Sequence, residues 1–453
     1  MVNVEPASAS PGPAYSQAGF IAGIGVLLIA GAFVLYQPTL RIGLLSDDYA
    51  LLMWARQLEL APRDWGQIRP IPILAWWVVA TLTSEGRTPA ALHALSIALH
   101  GFNAVLVWTL ARRLTTSERT ALAAGALFLV MPVSVEPVAW SSGIFDIMLA
   151  TFALLLGVTV TARPDLRLAD AALCLLLTIG MMGSKETGVI AGPLAVLLYW
   201  ARWSRVSRRM VALGATQLLL AGTYTLAREL TGRLDHRLVP VLDLTGAGRL
   251  VSGLARAFVL PFHRDLIQAH PAIAGATAAA IVALLAAWIL RWRHLPRGMH
   301  LGVLAAAGTL LCVAPAIRLF RITPDLQGTR YVYLAGAWWS IALASVLLDG
   351  WRGARLKTGM IAVAVLAIAG GAVVTRRHLE PWTNARTVRD RVLLRLISIP
   401  PSCRRAAVAG VPDNVAGAYI FRNGLNEALA TLGRSFEWVD PERAAPECRA
   451  NID

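Results

Sequence analysis

Long apolar segments separated by short basic ones dominate the chain from residue 19 onward. The first of them, "GFIAGIGVLLIAGAFVLYQP" at 19–38, has no charged residue and reaches the roughly 20 residues that a helix needs to cross about 30 Å of hydrocarbon. No small-residue cleavage site follows it, so we expect a retained helix rather than a signal peptide. The hydropathy pattern predicts about eleven membrane helices, near 18–38, 90–111, 119–138, 143–162, 168–183, 186–201, 210–230, 271–291, 300–320, 331–349 and 357–375.

Basic residues between the predicted helices indicate how the chain crosses the membrane. The stretches "ARRL", "ARPDLR", "ARWSRVSRR", "RWRHLPR" and "WRGARLK" lie in alternate loops. Short basic loops stay in the cytoplasm, so we predict a cytoplasmic N-terminus and an extracytoplasmic C-terminus. The formal net charge of +15 therefore reports topology, and we expect no nucleic-acid partner. We predict a multi-pass protein of a bacterial inner (plasma) membrane, with the lipid bilayer as a partner.

Two of the predicted outer loops are long, at about 39–89 and about 231–270. The first contains the Trp-rich stretch "IRPIPILAWWVVATL", and the second contains "RLVSGLARAFVLPF", where basic residues interrupt a short apolar run. Both stretches favour interfacial or re-entrant helices over full spans, because Trp and Arg side chains suit the headgroup layer.

The composition turns soluble from about residue 378. We therefore predict a transmembrane domain at 1–377 and a small extracytoplasmic α/β module at 378–453. In the module, "RRAAVAGVPDN" predicts a short strand and a turn, "AGAYIFRNGLNEALATLGR" a helix, and "SFEWVD" a second strand. Cys403 and Cys448 flank this tail and could form a disulfide if the tail is extracytoplasmic.

The composition excludes an ordinary soluble domain. Hydrophobic residues make up 56% of the chain and charged residues only 15%, with a mean hydropathy of +0.58. Lys185 and Lys357 are the only lysines among 42 basic residues, so each retained lysine is a candidate for a specific role. Cys174 and Cys312 lie inside apolar spans, where a thiol usually behaves as a small hydrophobic group.

Unusual polar groups concentrate on the predicted outer side of the membrane. Charged side chains close to membrane-spanning segments are energetically expensive, so by default they suggest a functional site. The candidates are Asp47, Asp48, Arg69, Glu136, Asp146, Ser184, Lys185, Glu186, Arg318, Arg321, Asp325 and Arg330. Any one of them could be a loop charge that pairs with lipid headgroups, but four separate outer turns share the pattern. The set favours chemistry on an anionic, membrane-embedded substrate.

A family resemblance follows from six stretches that occur in order over about residues 19–350. They are "LLSDDYALL", "IRPIPIL", "LHALSIALHGFNAVLVWTLARRL", "FLVMPVSVEPVAWSSGIFDIMLATFALLL", "GSKETGVIAGPL" and "TRYVYLAGAW". Together they resemble the GT-C membrane glycosyltransferases, in the branch that holds protein O-mannosyltransferase-like enzymes and the tetratricopeptide-containing transmembrane O-mannosyltransferases. Two features depart from that branch: no tetratricopeptide array follows the membrane part, and "MPVSVEP" lacks the histidine associated with that turn.

The resemblance implies an all-α GT-C fold with interfacial helices in the first outer loop, and an enzyme of the hexosyl- or mannosyltransferase kind. Such enzymes transfer a sugar from a polyprenyl-phosphate-linked donor to a glycan, lipid or protein acceptor on the outer face of the membrane. The stretch "VPDNVAGAYIFRNGL" in the C-terminal module shows no catalytic constellation, so we expect the module to contribute to acceptor choice.

The resemblance also assigns roles to individual residues. Asp47 matches the first acidic position of the family's loop motif and is expected to be the general base. Asp48 is expected to be its structural or substrate-orienting neighbour, because adjacent helical positions point about 100° apart. Alternatively, the two acids cap the helix predicted for "DYALLMWARQL", which is compatible with catalysis. Arg69, Lys185 and Arg330 are expected to bind the donor phosphate.

Further residues complete the predicted donor site. We expect Glu136, Asp146 and Glu186 to bind the donor phosphate or sugar together with these cations. Lys185 could instead simply pair with Glu186 or Glu136. Tyr331 and Tyr333 could line the path of the sugar or lipid, although interfacial tyrosines are also common without such a role.

A polar stripe on one predicted membrane helix has two interpretations. His93, His100 and Asn103 share a face of the helix near 90–111. They could be metal ligands, but interhelical hydrogen bonds are favoured. No tight His/Cys/Asp cluster indicates zinc. Some GT-C enzymes use a divalent cation and others do not, so Asp47 and Asp48 leave Mg²⁺ or Mn²⁺ open and no cofactor is certain.

Other functions compete with glycosyl transfer. A transporter or flippase of lipid-linked sugars predicts midplane charges and two matching halves, whereas the charges here lie at the outer rim and no matching halves are found. A polymerase or ligase of lipid-linked sugars predicts a large loop late in the chain instead of directly after the first helix. A non-catalytic scaffold is the third alternative.

Overall fold

The structure, a computed structural model, describes residues 14–62, 67–115, 117–233, 244–293, 297–349, 351 and 353–452. Parts of both predicted outer loops, at 63–66 and 234–243, lie outside the described residues. The same is true of 116, 294–296, 350 and 352, which belong to predicted basic loops.

Helices account for most of the described chain. They are α1 (Ala14–Tyr36), α2 (Asp48–Arg56), α3 (Pro70–Leu82), α4 (Thr88–Leu114), α5 (Glu118–Leu129), α6 (Val135–Ala139), α7 (Ile144–Val160), α8 (Leu168–Ser184), α9 (Ala191–Trp203), α10 (Arg208–Leu230), α11 (Leu244–Phe258), α12 (Arg264–Ala269), α13 (Pro271–Arg291), α14 (Gly298–Val313), α15 (Tyr333–Leu348), α16 (Ala354–His378), α17 (Glu380–Ile397) and α18 (Leu425–Thr431). Short 3₁₀ turns connect several of them, including Ser141–Gly143, Glu186–Ile190 and Thr329–Val332.

Eight helical segments of the described chain are long and apolar enough to cross a membrane. They are Gly19–Arg41, Thr88–Leu114, Ser141–Val160, Arg208–Leu230, Pro271–Leu290, Gly298–Ala316, Thr329–Leu348 and Ala354–Ile397. A ninth forms if Glu118–Leu129 and Pro132–Ala139, bent by 47° at their junction, count as one span. The spans predicted at 168–183 and 186–201 correspond to α8, of 17 residues, and to a 3₁₀ turn followed by α9, of 13 residues. The total of eleven therefore stays a prediction.

Exposed apolar side chains cover the outside of the helical bundle. Leu176 of α8, Leu219 of α10 and Leu290 of α13 are 65%, 72% and 80% exposed. Water would penalise so large an apolar surface, whereas lipid chains accept it. With the eight apolar helices, this surface makes the chain a multi-pass membrane protein.

The C-terminal part begins with α17, which continues from α16 after Leu379. The strands that follow are β1 (Arg405–Ala409), β2 (Asn414–Val415), β3 (Ala418–Tyr419), β4 (Glu437–Trp438) and β5 (Arg449–Asn451). β1 pairs in parallel with both β4 and β5, and β2 pairs with β3 in an antiparallel hairpin. A disulfide joins Cys403 to Cys448, with 5.8 Å between the Cα atoms. From here on, the C-terminal module means residues 405–452, the part of the predicted 378–453 region that contains these strands.

One predicted element of the module differs from the structure. The helix predicted for "AGAYIFRNGLNEALATLGR" is restricted to α18, and the residues before it form β3 and a turn. The aromatic and β-branched residues of "AYIF" favour a strand, and Gly424 begins the helix in the left-handed region with φ +80°. The strands predicted in "RRAAVAGVPDN" and "SFEWVD" are present as β1 and β4.

Small residues allow the central helices to approach closely. A Cβ atom on Gly101 of α4 would lie 2.8 Å from the Cα of Ile29 in α1, and one on Gly125 of α5 would lie 3.0 Å from the carbonyl oxygen of Ala104 in α4. Lipid supplies no hydrophobic drive between helices, so close backbone packing of this kind is a main source of stability inside a membrane. α4 is thereby fixed between α1 and α5.

Replacing Gly101 with valine should force α1 away from α4, because the added side chain meets backbone rather than a flexible side chain. We expect a loss of about 1–3 kcal/mol, measured by thermal unfolding in detergent. Gly222→Val in α10 is the matched control, since nothing lies within 4 Å of a Cβ there and the cost of a β-branched residue in a helix is shared. Equal melting temperatures of the two variants would contradict the close-packing account.

Candidate active site

Asp48 fixes the loop that precedes α2. Its Oδ2 accepts a hydrogen bond from the backbone N–H of Leu45 at 2.9 Å, and its Oδ1 accepts from the N–H and the hydroxyl of Ser142 at 2.8 Å and 2.5 Å. Burial raises the pKa of Asp48 to about 7, and the hydrogen bonds from Ser142 and Leu45 oppose that rise. This carboxylate therefore ties the first outer loop to the turn Ser141–Gly143, and it does not line the cavity that collects most of the predicted site residues.

Asp47, the neighbouring acid, does line that cavity. Its Oδ1 accepts hydrogen bonds from Nδ2 of Asn423 at 2.7 Å and from the hydroxyl of Ser46 at 3.4 Å. Among the described residues no hydrogen bond reaches Oδ2. Burial raises the pKa of Asp47, against the opposing effects of the Asn423 hydrogen bond and the Arg330 charge. Neither acid caps α2 through its side chain.

Arg330 is held by a buried carboxylate behind it. Oε1 of Glu136 accepts from Nη1 of Arg330 at 2.8 Å, and Oε2 accepts from the backbone N–H groups of Gly328 and Arg330 at 2.7 Å and 3.1 Å. The hydroxyl of Tyr419, in the C-terminal module, lies 3.2 Å from Oε1 of Glu136 and 3.0 Å from the same guanidinium nitrogen. The guanidinium also lies 5.0 Å from the ring centroid of Trp140. These contacts fix the orientation of the Arg330 guanidinium.

Two further ion pairs flank Arg330. Arg69 donates to both carboxylate oxygens of Glu186, from Nε at 3.0 Å and from Nη2 at 2.8 Å. Lys185 donates to Asp146, and its ammonium lies 5.0 Å from the ring centroid of Tyr331. The alternative in which Lys185 pairs with Glu186 or Glu136 is not the arrangement adopted.

A cavity of about 250 Å³ collects these groups. It is lined by Asp47, Gln67, Arg69, Trp140, Ser142, Phe145, Asp146, Lys185, Glu186, Thr187, Arg228, Pro315, Ala316, Arg318, Leu319, Arg330 and Tyr331. Cations outnumber carboxylates in this lining, so the cavity suits an anion. A larger groove of about 1100 Å³ lies between residues 37–42 and α17, and it contains none of the predicted site residues.

Several predicted residues lie outside the cavity lining. Tyr333 is fully buried, and its hydroxyl lies 2.8 Å from Nδ1 of His100 and 3.2 Å from Nδ2 of Asn103. His93 has Nε2 3.0 Å from the carbonyl oxygen of Gly43. These contacts connect α4 with α15 and with the first outer loop. Asp48 and Glu136 also lie behind the lining.

The module supplies site residues that the sequence analysis missed. Asn423 contacts Asp47, and Tyr419 contacts both Glu136 and Arg330. No catalytic constellation was expected in this stretch, and the structure places two of its side chains against the site. Arg228, near the end of α10, also lines the cavity, and a cation inside an apolar span could have indicated it.

A divalent cation shared by Asp47 and Asp48 does not fit the donors around them. Both oxygens of Asp48 face N–H or O–H groups, which a metal ion would displace, and Oδ1 of Asp47 faces an amide N–H. No group of three or more His, Cys, Asp or Glu side chains arranged to hold a metal ion was found across the described ranges.

Comparisons identify the fold as that of the GT-C class of membrane glycosyltransferases. The chain superposes on ArnT from Cupriavidus metallidurans bound to undecaprenyl phosphate with a TM-score of 0.50 and 13% identity, covering 94% of this chain and 90% of that one. The oligosaccharyltransferase of Archaeoglobus fulgidus, tethered to an acceptor peptide, also gives 0.50 at 13% identity, covering 90% of this chain and 64% of that one.

A curated sequence relative lies in the predicted branch. Protein O-mannosyl-transferase Tmtc1 of Drosophila melanogaster is 30% identical over an alignment of 179 residues, which covers 35% of this chain and 21% of that protein. The chain thus matches about a fifth of the length of this relative. No protein-family model matches the chain. The resemblance to GT-C glycosyltransferases and to the O-mannosyltransferase branch, predicted from the sequence, is confirmed.

Glu136→Gln should destabilise the protein, because an amide cannot both pair with Arg330 and accept the two backbone N–H groups. We expect a loss of about 3 kcal/mol, measured by thermal unfolding in detergent. Glu380→Gln is the matched control, since its ion pair with Arg377 is exposed on both sides and should contribute less than about 1 kcal/mol. A similar shift in both variants would rule out a special role for the Glu136 contacts.

Proposed function

We propose that the chain is an inverting GT-C glycosyltransferase that transfers a sugar from a polyprenyl-phosphate-linked donor to an acceptor hydroxyl. The observation that carries this proposal is the shared cavity, in which Asp47 lies with Arg69, Lys185 and Arg330 in a GT-C fold. The O-mannosyltransferase name of the sequence relative and the undecaprenyl phosphate bound to the structural neighbour ArnT support a hexose, such as mannose, on a polyprenyl phosphate.

In this mechanism Asp47 is the general base. The acceptor hydroxyl oxygen attacks the anomeric carbon from the face opposite the phosphate, and its proton passes to Oδ2 of Asp47. The bond from the anomeric carbon to the phosphate oxygen breaks, and its electron pair stays on that oxygen. The products are a glycosylated acceptor with inverted configuration and a polyprenyl phosphate.

The leaving group needs fixed positive charge rather than a strong acid, because a phosphate is already a good leaving group. Arg330 and Lys185 line the cavity and are each locked by a carboxylate, so little reorganisation is needed when charge develops on the phosphate. Arg69 contributes a third cation, oriented by Glu186 and by the ring of Phe145 at 4.6 Å. Tyr331 offers an aromatic wall for the sugar or the first isoprene unit.

The proposed function also requires a particular orientation of the chain in the membrane. The cavity and the C-terminal module face the periplasm of a bacterial inner membrane, the N-terminus is cytoplasmic, and eleven segments cross the bilayer. The acceptor is a glycan, lipid or protein that reaches the site from the outer side. Contacts among the basic loops at the opposite end, such as Nη1 of Arg297 with the carbonyl oxygen of Arg113 at 3.3 Å, support a common cytoplasmic side.

Asp47→Asn should abolish transfer, because an amide cannot take the acceptor proton. The test reconstitutes the protein with a panel of radiolabelled polyprenyl-phosphate sugars and compares release of the sugar from its lipid. We expect a loss of about 10²–10⁴-fold with the donor that the wild type uses. Asp440→Asn, an exposed carboxylate outside the cavity, serves as the control and should keep wild-type rates.

Two outcomes would reject this proposal. Unchanged sugar release in Asp47→Asn, where the wild type is active, would remove the base assignment. If no donor is consumed but labelled lipid crosses the bilayer of sealed vesicles, the protein is a transporter of lipid-linked sugars.

The pH profile of the wild type should report the ionisation of Asp47. Because burial raises the pKa of this carboxylate, the acid limb of kcat/KM should lie above the ordinary value of about 3.9 for Asp. The base works only when ionised, so activity is present above the raised pKa and is lost as pH falls through it. Rates measured from about pH 3 to pH 8 with the donor from the panel check this expectation. An acid limb at or below the ordinary value would contradict it.

A further inference from the structure

The C-terminal module rests directly on the loop that carries Asp47. The backbone N–H of Ser46 donates to the carbonyl oxygen of Ile420 at 2.7 Å, and the N–H of Asn423 donates to the hydroxyl of Ser46 at 3.3 Å. A Cβ atom on Gly424 would lie 2.2 Å from the carbonyl oxygen of Ser46, so only glycine permits this approach. Ser46 itself has φ +49°, a conformation that costs energy in a non-glycine residue. The module therefore holds the loop in a strained shape.

The module also reaches the cation side of the cavity. The ring of Tyr419 packs on that of Trp140, with 4.5 Å between centroids, and its hydroxyl contacts Glu136 and Arg330. One segment of the module thus touches the proposed base through Asn423 and a proposed phosphate ligand through Tyr419. Packing alone would not require polar contacts to both.

We propose that Asn423 is a positioning residue for Asp47, so that the C-terminal module is part of the active site rather than an accessory domain. This inference rests on the proposed function, in which Asp47 is the base. The amide of Asn423 binds Oδ1 at 2.7 Å and fixes the carboxylate plane, which leaves Oδ2 for the acceptor proton.

The surroundings of Asn423 argue against a role in stability alone. The residue is exposed, and its side-chain contact with the loop is a single hydrogen bond to Asp47. Loss of such a side chain leaves no buried cavity, so it should change unfolding little. The same hydrogen bond favours the ionised form of Asp47 against the effect of burial. Its removal should therefore alter the base more than the fold.

Asn423→Ala and Asn423→Asp test this inference in the full-length protein, with the donor that the wild type turns over in the panel. Both variants lose the donor to Oδ1, and the aspartate also adds a like charge. We expect kcat at neutral pH to fall about tenfold or more, with a smaller change in KM. The acid limb should move to higher pH in Asn423→Ala and further in Asn423→Asp, because the hydrogen bond that lowers the pKa of Asp47 is lost.

Asn426→Ala is the matched control. Asn426 is an exposed asparagine of α18 that accepts a hydrogen bond from Trp438 within the module, and its loss should leave kcat and the acid limb unchanged. A limb that shifts equally in Asn426→Ala would show a general disturbance of the module and overturn the inference. If Asn423→Ala fails to fold, the pH profile of the isosteric Asn423→Asp tests the inference alone, and an unshifted acid limb in that variant would overturn it.

Failure of this inference is distinguishable from failure of the proposed function. Wild-type kcat and acid limb in both Asn423 variants, together with an inactive Asp47→Asn, would overturn the positioning role and leave the base assignment intact. Full transfer by Asp47→Asn would overturn both.

Discussion

Glu136 holds together three parts of the molecule that meet at the cavity. Its carboxylate is nearly inaccessible to water, where an unpaired charge would be very costly. Guanidinium, backbone and hydroxyl donors from residues 328–330 and from Tyr419 compensate that cost. Because these donors come from distant segments, the bend at α6, the start of α15 and the C-terminal module must be in place together for the charge to be tolerated.

Two of the cations that line the cavity are likewise paired with nearby carboxylates. Arg69 is matched by Glu186, and Lys185 is matched by Asp146. Each pair forms between side chains of the protein itself, so the orientation of the cations does not depend on a ligand. The energetic cost of assembling like charges is met during folding, as preorganisation of the proposed anion site requires. Asp48 has the equivalent role for Asp47, the proposed base, because its hydrogen bonds fix the loop that carries both acids.

Much of the architecture follows from the sequence because hydropathy and alternating basic loops determine which ends of the helices share a side. That reasoning places Asp47, Arg69, Lys185 and Arg330 at one end, and all four line one cavity. The same reasoning does not predict which carboxylate pairs with which cation. Glu186 and Glu136 are the partners it suggests for Lys185, whereas the structure pairs Lys185 with Asp146. Rotation of each helix about its axis and the break after α8 decide such contacts, and neither leaves a mark in hydropathy.

Contacts between the C-terminal module and the rest of the chain are also not predictable from the sequence. "RNGL" contains the Asn-Gly pair that marks a turn, and this signal could have ended the predicted helix before Gly424. Nothing local connects Asn423 to Asp47, however, since they are separated by 376 residues and meet only in the folded chain. Residues 405–452 follow all the apolar spans of the described chain. A fragment that ended before residue 405 would therefore carry both acids and all three cations of the proposed site, yet it would lack the side chains of Asn423 and Tyr419 that contact them.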